Sequence, residues 1–401
     1  MTNIAILGYG TVGSGVYEIA VKNAESIKRK SGQEIKVKRI LDIREFADHP
    51  EPELFTKDYN DILNDAEISV VAEVMGGLNP AYQFTKDALL ASKSVVTSNK
   101  ELVATHGTEL LQIAAEKNVN YLFEASVGGG IPVIRPLNQC LAANEISEIF
   151  GILNGTTNYI LTKMIKNGES FDGALADAQT KGYAERNPAA DVEGHDACRK
   201  ICILSSLAFG KTVDYSKVYT EGITGITLDD VKYAKLLGYV IKLIGYARND
   251  GGEVLCRVSP MLVSAGNPLS GVEDVFNAIM IRGDSVGDVM FYGRGAGKLP
   301  TASAVMADVI DIVKESGNKH YIWKHSDQEF LQDYKQAEVS LFVRTDASNK
   351  AKVNEIFGDV QMTVDGGKMA FITPIGKESV LMEKLSQMGE YSSCIRVMRE
   401  A

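Results

Sequence analysis

Apolar blocks separated by amphipathic stretches set the rhythm of the N-terminal third of the chain. The unbroken apolar run in "NIAILGYGTVGSGV" predicts a buried strand that leads into glycines and then a helix. "IKVKRILDIRE" predicts a second strand, and "AEISVVAEVMGG" and "KSVVTSNK" two more, alternating with helical "PAYQFTKDALLAS" and "ELVATHGTELLQIAAEKN". Strand and helix in alternation indicate an α/β fold with a doubly wound parallel sheet. "YLFEASVGGGIPVIRPL" predicts one more strand ending in glycines. The pattern then changes. "EISEIFGILNGTTNYILTKMIKNG" predicts a strand, a polar loop from Asn154 to Asn158 and a helix, and "DVEGHDACRK" crowds charges ahead of the apolar run "ICILSSLAF". After the polar connection "NKHYIWKHSDQEFLQDYKQ", residues 335–401 read strand, helix, strand, strand, helix, strand, a split βαβ pattern expected to form a short separate unit.

Composition narrows the function classes. A chain of 401 residues exceeds what one core serves, so two or three domains are expected. A net charge of -10 argues against nucleic acid or an anionic membrane as the main partner. The five cysteines are scattered without a CxxC pair, which suits reduced thiols, and Cys198 and Cys202 lack the companions of a zinc site. No basic leader opens the chain and its apolar runs are shorter than a bilayer span, so a soluble, cytoplasmic protein is expected.

Gly8, Gly10 and Gly13 follow the first strand in the spacing of a dinucleotide cradle. Gly8 allows the tight turn, Gly10 lets backbone approach a pyrophosphate, and Gly13 lets helix and strand pack closely. Asp42, at the end of the second strand, is placed to bind a ribose 2′-hydroxyl, whereas Arg44 is equally placed to clamp a 2′-phosphate; NAD and NADP both stay open. Gly76, Gly77, Ser98, Asn99 and Lys100 fall at the carboxyl ends of strands, where ligands of such sheets sit. Asp196 and Lys200 are four apart on one helix face, acid before base, in the favourable order.

The segments "GYGTVGSGV", "VVTSNKELVATHG", "FEASVGGGIPVI", "GILNGTTNYIL", "DVEGHDACRKICILSSLAFG" and "GRGAGKLPTASAV", in this order over about four fifths of the chain, together resemble the homoserine dehydrogenase family. The resemblance implies reversible NAD(P)-dependent hydride transfer between L-homoserine and L-aspartate 4-semialdehyde, on the branch to threonine and methionine. It implies a Rossmann-type cofactor domain at 1–133, completed by about 293–320, and an α+β catalytic and dimerisation domain at 134–292, in a homodimer or homotetramer. Lys200 and Lys100 match the family's two site lysines; Lys200 is assigned the acid/base role and Lys100 the cofactor-facing and substrate-facing one, with Asp196 orienting substrate. Glu185 matches the position that holds the substrate ammonium, with Asp191 and Thr156 also on the substrate side. Thr11, Val12 and Gly295 join the cofactor set, and a monovalent Na+ or K+ is implied on backbone carbonyls of Glu124, Val127, Gly129 and Ile131. Glu193, His195, His49, His106, His320 and His325 are assigned no role.

Residues 335–401 resemble an ACT domain. Where such domains carry a Pro-Gly after the first strand, this chain has Asp346 to Lys350 without glycine, so weak or absent threonine inhibition is expected and an assembly role preferred. Two other readings remain: a nucleotide-sensing regulator without turnover, and another dehydrogenase of an amino-acid pathway. No aspartokinase segment precedes residue 1, so a monofunctional enzyme is expected.

Overall fold

The computed structural model describes residues 1–314, 321, 323–326 and 329–399. It divides into two compact units. The first holds Met1–Glu145, Cys202–Tyr215 and Gly293–Asp327; the second holds Ile146–Ile201, Ser216–Tyr292 and Gln328–Ala401.

The first unit is built on β1 (Thr2–Leu7), β2 (Ile35–Leu41), β3 (Phe55–Thr56), β4 (Ile68–Glu73), β5 (Ser94–Thr97) and β6 (Tyr121–Leu122). Every pairing is parallel, in the order β3-β2-β1-β4-β5-β6. Strand order reverses between β1 and β4, which opens the crevice where such sheets take a dinucleotide. The apolar runs explain the burial, since Ile4 to Leu7 and Val71 to Ala72 have no exposure. The helix Thr11–Lys22 packs on Lys298–Lys314 so closely that a Cβ on Gly15 would lie 2.9 Å from the Lys298 carbonyl oxygen.

The connection before the tail is not wholly polar. The described part of the connection read as polar carries Tyr321 and Trp323, at 2% and 5% exposure, both edge-on to Phe123. Trp323 donates its indole N–H to Thr108 (2.9 Å), and its ring fills the space beside Gly107, where a Cβ would meet it at 2.7 Å. Two aromatics among many charges suffice to anchor a segment. His320 lies outside the described residues.

The second unit carries β7 (Ile146–Ile152), β8 (Tyr219–Thr220), β9 (Tyr239–Asp250), β10 (Glu253–Ser264), β11 (Phe276–Gly283), β12 (Gly287–Arg294), β13 (Glu338–Asp346), β14 (Met362–Asp365), β15 (Lys368–Ile372), β16 (Gly376–Lys377) and β17 (Ser393–Val397). Nine run in the order β12-β11-β7-β9-β10-β17-β13-β15-β14, with β8 beside β10 and β16 beside β13. The tail therefore has the expected strand-helix order but no sheet of its own. β17 joins β10 in parallel through Met261 with Arg396 and Leu262 with Val397, and the tail belongs to the same compact unit. Ion pairs cross the seam: Arg344 bonds buried Asp230 (2.9 Å) and Arg396 bonds Glu221 (2.7 Å), while Glu378 of the tail itself steadies Arg396 (2.9 Å). The turn after β13 closes without a left-handed residue, because the Asp346 carboxylate accepts the Ser348 N–H (3.0 Å).

Candidate active site

In the first unit, the turn after β1 has the geometry a pyrophosphate needs. Gly8 has φ of +93°, and a Cβ on Gly13 would lie 1.9 Å from the Gly8 carbonyl oxygen, so neither position takes a side chain without displacement. A Cβ on Gly10 would meet nothing within 4 Å, which leaves the approach to the amides of Thr11 and Val12 open at the helix start. These residues fit a dinucleotide phosphate.

The acid at the end of β2 is turned inward. One oxygen of Asp42 accepts the Tyr9 N–H (2.8 Å) and Arg44 Nη2 (2.9 Å); the other accepts the Arg44 N–H (3.0 Å) and Nε (2.9 Å). The guanidinium holds the carboxyl well below the usual range, and Arg44 itself is 57% exposed.

At the ends of β4 and β5 lies a residue that the sequence did not single out, Glu73. Fully buried, it accepts the Met75 N–H (2.8 Å) and the Thr97 hydroxyl (2.6 Å), and burial pushes its carboxyl up. Thr97 in turn receives the Asn99 N–H (2.9 Å); Asn99 caps the helix Lys100–Lys117 and donates to Gly77 O (2.6 Å). The chain from Glu73 to Asn99 thereby fixes the start of the helix on which Lys100 stands. Glu124 is buried as well, with its carboxylate bound to the N–H groups of Val133, Ile134 and Arg135 (2.6 to 2.9 Å), so the side chain is engaged and only carbonyls remain for a cation. Gly129 lies so near Gly295 that a Cβ would sit 2.4 Å from the Gly295 carbonyl oxygen.

In the second unit, Asp196 opens the helix His195–Phe209 and Lys200 follows one turn later. At 4% and 8% exposure they form a buried ion pair of 2.6 Å, and Lys200 also donates to Leu153 O (2.8 Å). Asn154, absent from the sequence-based site, completes the cluster. Its amide N–H groups reach Asp191 (2.7 Å) and Asp196 (2.9 Å), while its Oδ1 accepts the Thr157 N–H and caps the helix Gly155–Asn167. The signal was present in the run Asn154 to Asn158, whose polar groups exceed the needs of capping. Thr156 turns to Tyr183 O (2.7 Å), which fixes the segment leading to Glu185, whose side chain is exposed. Glu193 and His195 pair with each other at the surface (3.2 Å).

A lysine ammonium beside a carboxylate, on carbonyl and amide supports, can give a proton to an oxygen and take it back. The glycine cradle can hold a dinucleotide.

Comparison with known proteins agrees with this chemistry. The sequence family described as Homoserine dehydrogenase matches residues 132–310, and the one described as Homoserine dehydrogenase, NAD binding domain, matches residues 8–124. A homoserine dehydrogenase of Bacillus subtilis is 43% identical over 315 residues, covering 78% of this chain and 72% of its own. One from Synechocystis is 46% identical over 316 residues, covering 77% and 73%. Among solved structures, a homoserine dehydrogenase from Thiobacillus denitrificans matches with a TM-score of 0.89 at 34% identity over 99% of this chain and 98% of that one. A hyperthermophilic archaeal homoserine dehydrogenase in complex with NADPH matches at 0.68 and 29% identity over 79% and 99%. No helix among the described residues is long and apolar enough to cross a membrane.

Proposed function

The chain belongs to the homoserine dehydrogenase family of NAD(P)-dependent oxidoreductases, and on that premise we propose which of its residues perform the interconversion of L-homoserine and L-aspartate 4-semialdehyde. The observation that carries the assignment is the buried Lys200–Asp196–Asn154 cluster. The nicotinamide, when bound, supplies or accepts the hydride at the substrate carbon. Lys200 Nζ gives a proton to the aldehyde oxygen in reduction and, as the neutral amine, removes it from the alcohol in oxidation. Asp196 and Leu153 O aim the ammonium, and Asn154 holds Asp196 and Asp191 in place. Glu185 receives the substrate ammonium, with Asp191 and Thr156 shaping the substrate side; a carboxylate is the group that task requires. Lys100 serves the cofactor and substrate from the helix start that Asn99 caps.

For the cofactor we propose NADP(H). The Asp42 carboxylate is neutralised by Arg44 and turned away from solvent, so it anchors the guanidinium instead of repelling a phosphate. Asp42→Ala should then weaken NADP, the reverse of what an acid on the ribose would give. A monovalent cation, if carried, takes carbonyl oxygens of Glu124, Val127, Gly129 and Ile131, with no role in proton transfer. The tail is proposed to be an ACT-like element that serves assembly of a dimer or tetramer in preference to sensing threonine.

The test is initial rates with L-homoserine, L-aspartate and their close analogues, each with NADP and with NAD. Turnover of homoserine with a preference for NADP is expected. Turnover of aspartate alone would move the chain to a different dehydrogenase activity, and none at all would favour a sensing role.

A further inference from the structure

Arg44 is held in place by more than Asp42: one further holder, Tyr9, lies inside the glycine turn, and Phe46, with the rings that enclose Tyr9, comes from a segment outside the dinucleotide motif. Its Nη2 also donates to the Tyr9 carbonyl (2.9 Å), so both backbone polar groups of Tyr9 are tied to the Asp42–Arg44 pair. Tyr9 is the middle residue of the Gly8-to-Gly10 turn. Its ring is enclosed edge-on by Phe46 (5.1 Å), Phe55 (5.0 Å) and His49 (5.5 Å), while Phe46 stacks on Phe55 at 4.5 Å and lies 5.1 Å under the Arg44 guanidinium. The Tyr9 hydroxyl meets His49 Nε2 at 3.0 Å, and His49 Nδ1 accepts the Glu51 N–H (3.1 Å). An Nδ1 that accepts is unprotonated, so the ring proton of the neutral imidazole sits on Nε2 and is donated to the phenol oxygen.

The consequence is mechanical. Arg44 uses Nε and Nη2 on Asp42 and Tyr9, while Nη1 makes no hydrogen bond among the described residues. The guanidinium carbon lies over the Phe46 ring, and the two N–H groups of Nη1 are held in a fixed direction, so that meeting a phosphate costs Arg44 little rotamer freedom at the moment of binding.

We infer that Tyr9 and His49 are positioning residues for cofactor selectivity: their hydrogen bond pins the Gly8-to-Gly10 turn to the 43–55 segment and so holds Arg44 ready for the 2′-phosphate of NADP. The inference rests on the assignment of Arg44 to that phosphate. It also gives His49, which carries no motif of its own, a role.

The test compares KM for NADP and NAD in Tyr9→Phe, His49→Leu, His49→Gln and Arg44→Ala, and in the Arg44→Ala/His49→Leu double variant. Tyr9→Phe removes one oxygen and keeps the ring, so it separates the hydrogen bond from the packing. Loss of one hydrogen bond corresponds to a change of roughly threefold to tenfold. Tyr9→Phe and His49→Leu should each raise KM for NADP by about that factor and change KM for NAD by less than about twofold. For His49→Leu the change should fall on KM and not on kcat, with partial recovery in His49→Gln. In the Arg44→Ala background the His49 change should have no further effect, because the group it positions is gone. Equal losses for both cofactors, or an undiminished His49 effect without Arg44, would overturn the inference. An unchanged cofactor ratio in Arg44→Ala itself would instead refute the assignment of Arg44.

Discussion

Replacing Asn154 by aspartate separates two tasks that its amide performs at once. The Oδ1 caps a helix by accepting the Thr157 N–H at 2.9 Å, and aspartate is as good a cap as asparagine. The Nδ2 gives its N–H groups to Asp191 and Asp196 at 2.7 and 2.9 Å, and aspartate has none to give. Each such bond to a charged group contributes about 1.5 to 3 kcal/mol, so two lost bonds cost about 3 to 6 kcal/mol before relaxation, with three carboxylates now crowded together. Part of that cost is relieved when one of the three takes up a proton. The proton can then serve as a donor between two carboxylates, and the site should recover in part as pH falls. The assay is kcat and KM for homoserine oxidation over a pH series, with thermal unfolding, for Asn154→Asp and Asn154→Ala. For Asn154→Asp, kcat should fall about tenfold to a hundredfold at neutral pH, because Asp196 no longer aims Lys200 as closely. Asn154→Ala loses the same two donors and also the cap, a further contribution of about 1 kcal/mol, but brings in no third carboxylate, so its activity should not recover as pH falls. A normal kcat in Asn154→Asp at every pH, with only Asn154→Ala impaired, would mean that the residue is a helix cap and nothing more.

Other outcomes follow from the same structure. Arg44→Ala should raise KM for NADP about tenfold to a hundredfold, the value of a charge-assisted bond, with a small effect on NAD, checked by initial rates. A chain ending near Gln332 should fail to fold as a stable species, since β10 loses β17 while Asp230 is left without Arg344; light scattering and thermal melts decide, and an unchanged melting midpoint would contradict it. Asp308 is fully buried beside Glu124, and burial pushes its carboxyl from 3.8 up to about 7. Its native form holds the proton more tightly than the unfolded one, so its contribution to stability is complete below the ordinary value and is lost as pH rises through about 7. Asp308→Asn should flatten that part of the pH–stability curve. Cys140 is exposed, whereas burial pushes the Cys394 thiol up to about 12, so a thiol reagent at neutral pH should label Cys140 rapidly and Cys394 slowly, read by peptide mass.

The parts legible in the sequence were those set by short-range patterning. The run "NIAILGYGTVGSGV" carries its strand, turn and helix start in adjacent residues, and Asp196 and Lys200 meet because four residues make one helical turn. What stayed hidden depends on residues distant in the chain. Asn154 reaches Asp191 and Asp196 across about forty positions, and no local spacing reports such a contact. Asp42 looked like a ribose ligand because position alone does not tell whether a carboxylate faces outward or accepts the Tyr9 N–H. Glu73 closed an apolar strand and gave no sign that Thr97 and Met75 would satisfy it inside the unit. The tail pattern gave its elements in order, but edge pairing of β17 with β10 is a choice between sheets, which alternation within a strand does not encode.

Proton transfer depends most on Lys200, and the most direct measurement is the turnover of Lys200→Ala beside its affinity for NADP. General acid-base catalysis by one side chain is worth about two to four orders of magnitude, so kcat for homoserine oxidation should fall by that factor. NADP binding, followed by titration, should stay within about threefold of the unsubstituted enzyme. A small primary amine added to the medium should restore part of the rate by supplying the missing base. A variant that turns over homoserine at a near-normal rate would remove Lys200 from the proton transfer and with it the role assigned to the Asp196 and Asn154 cluster.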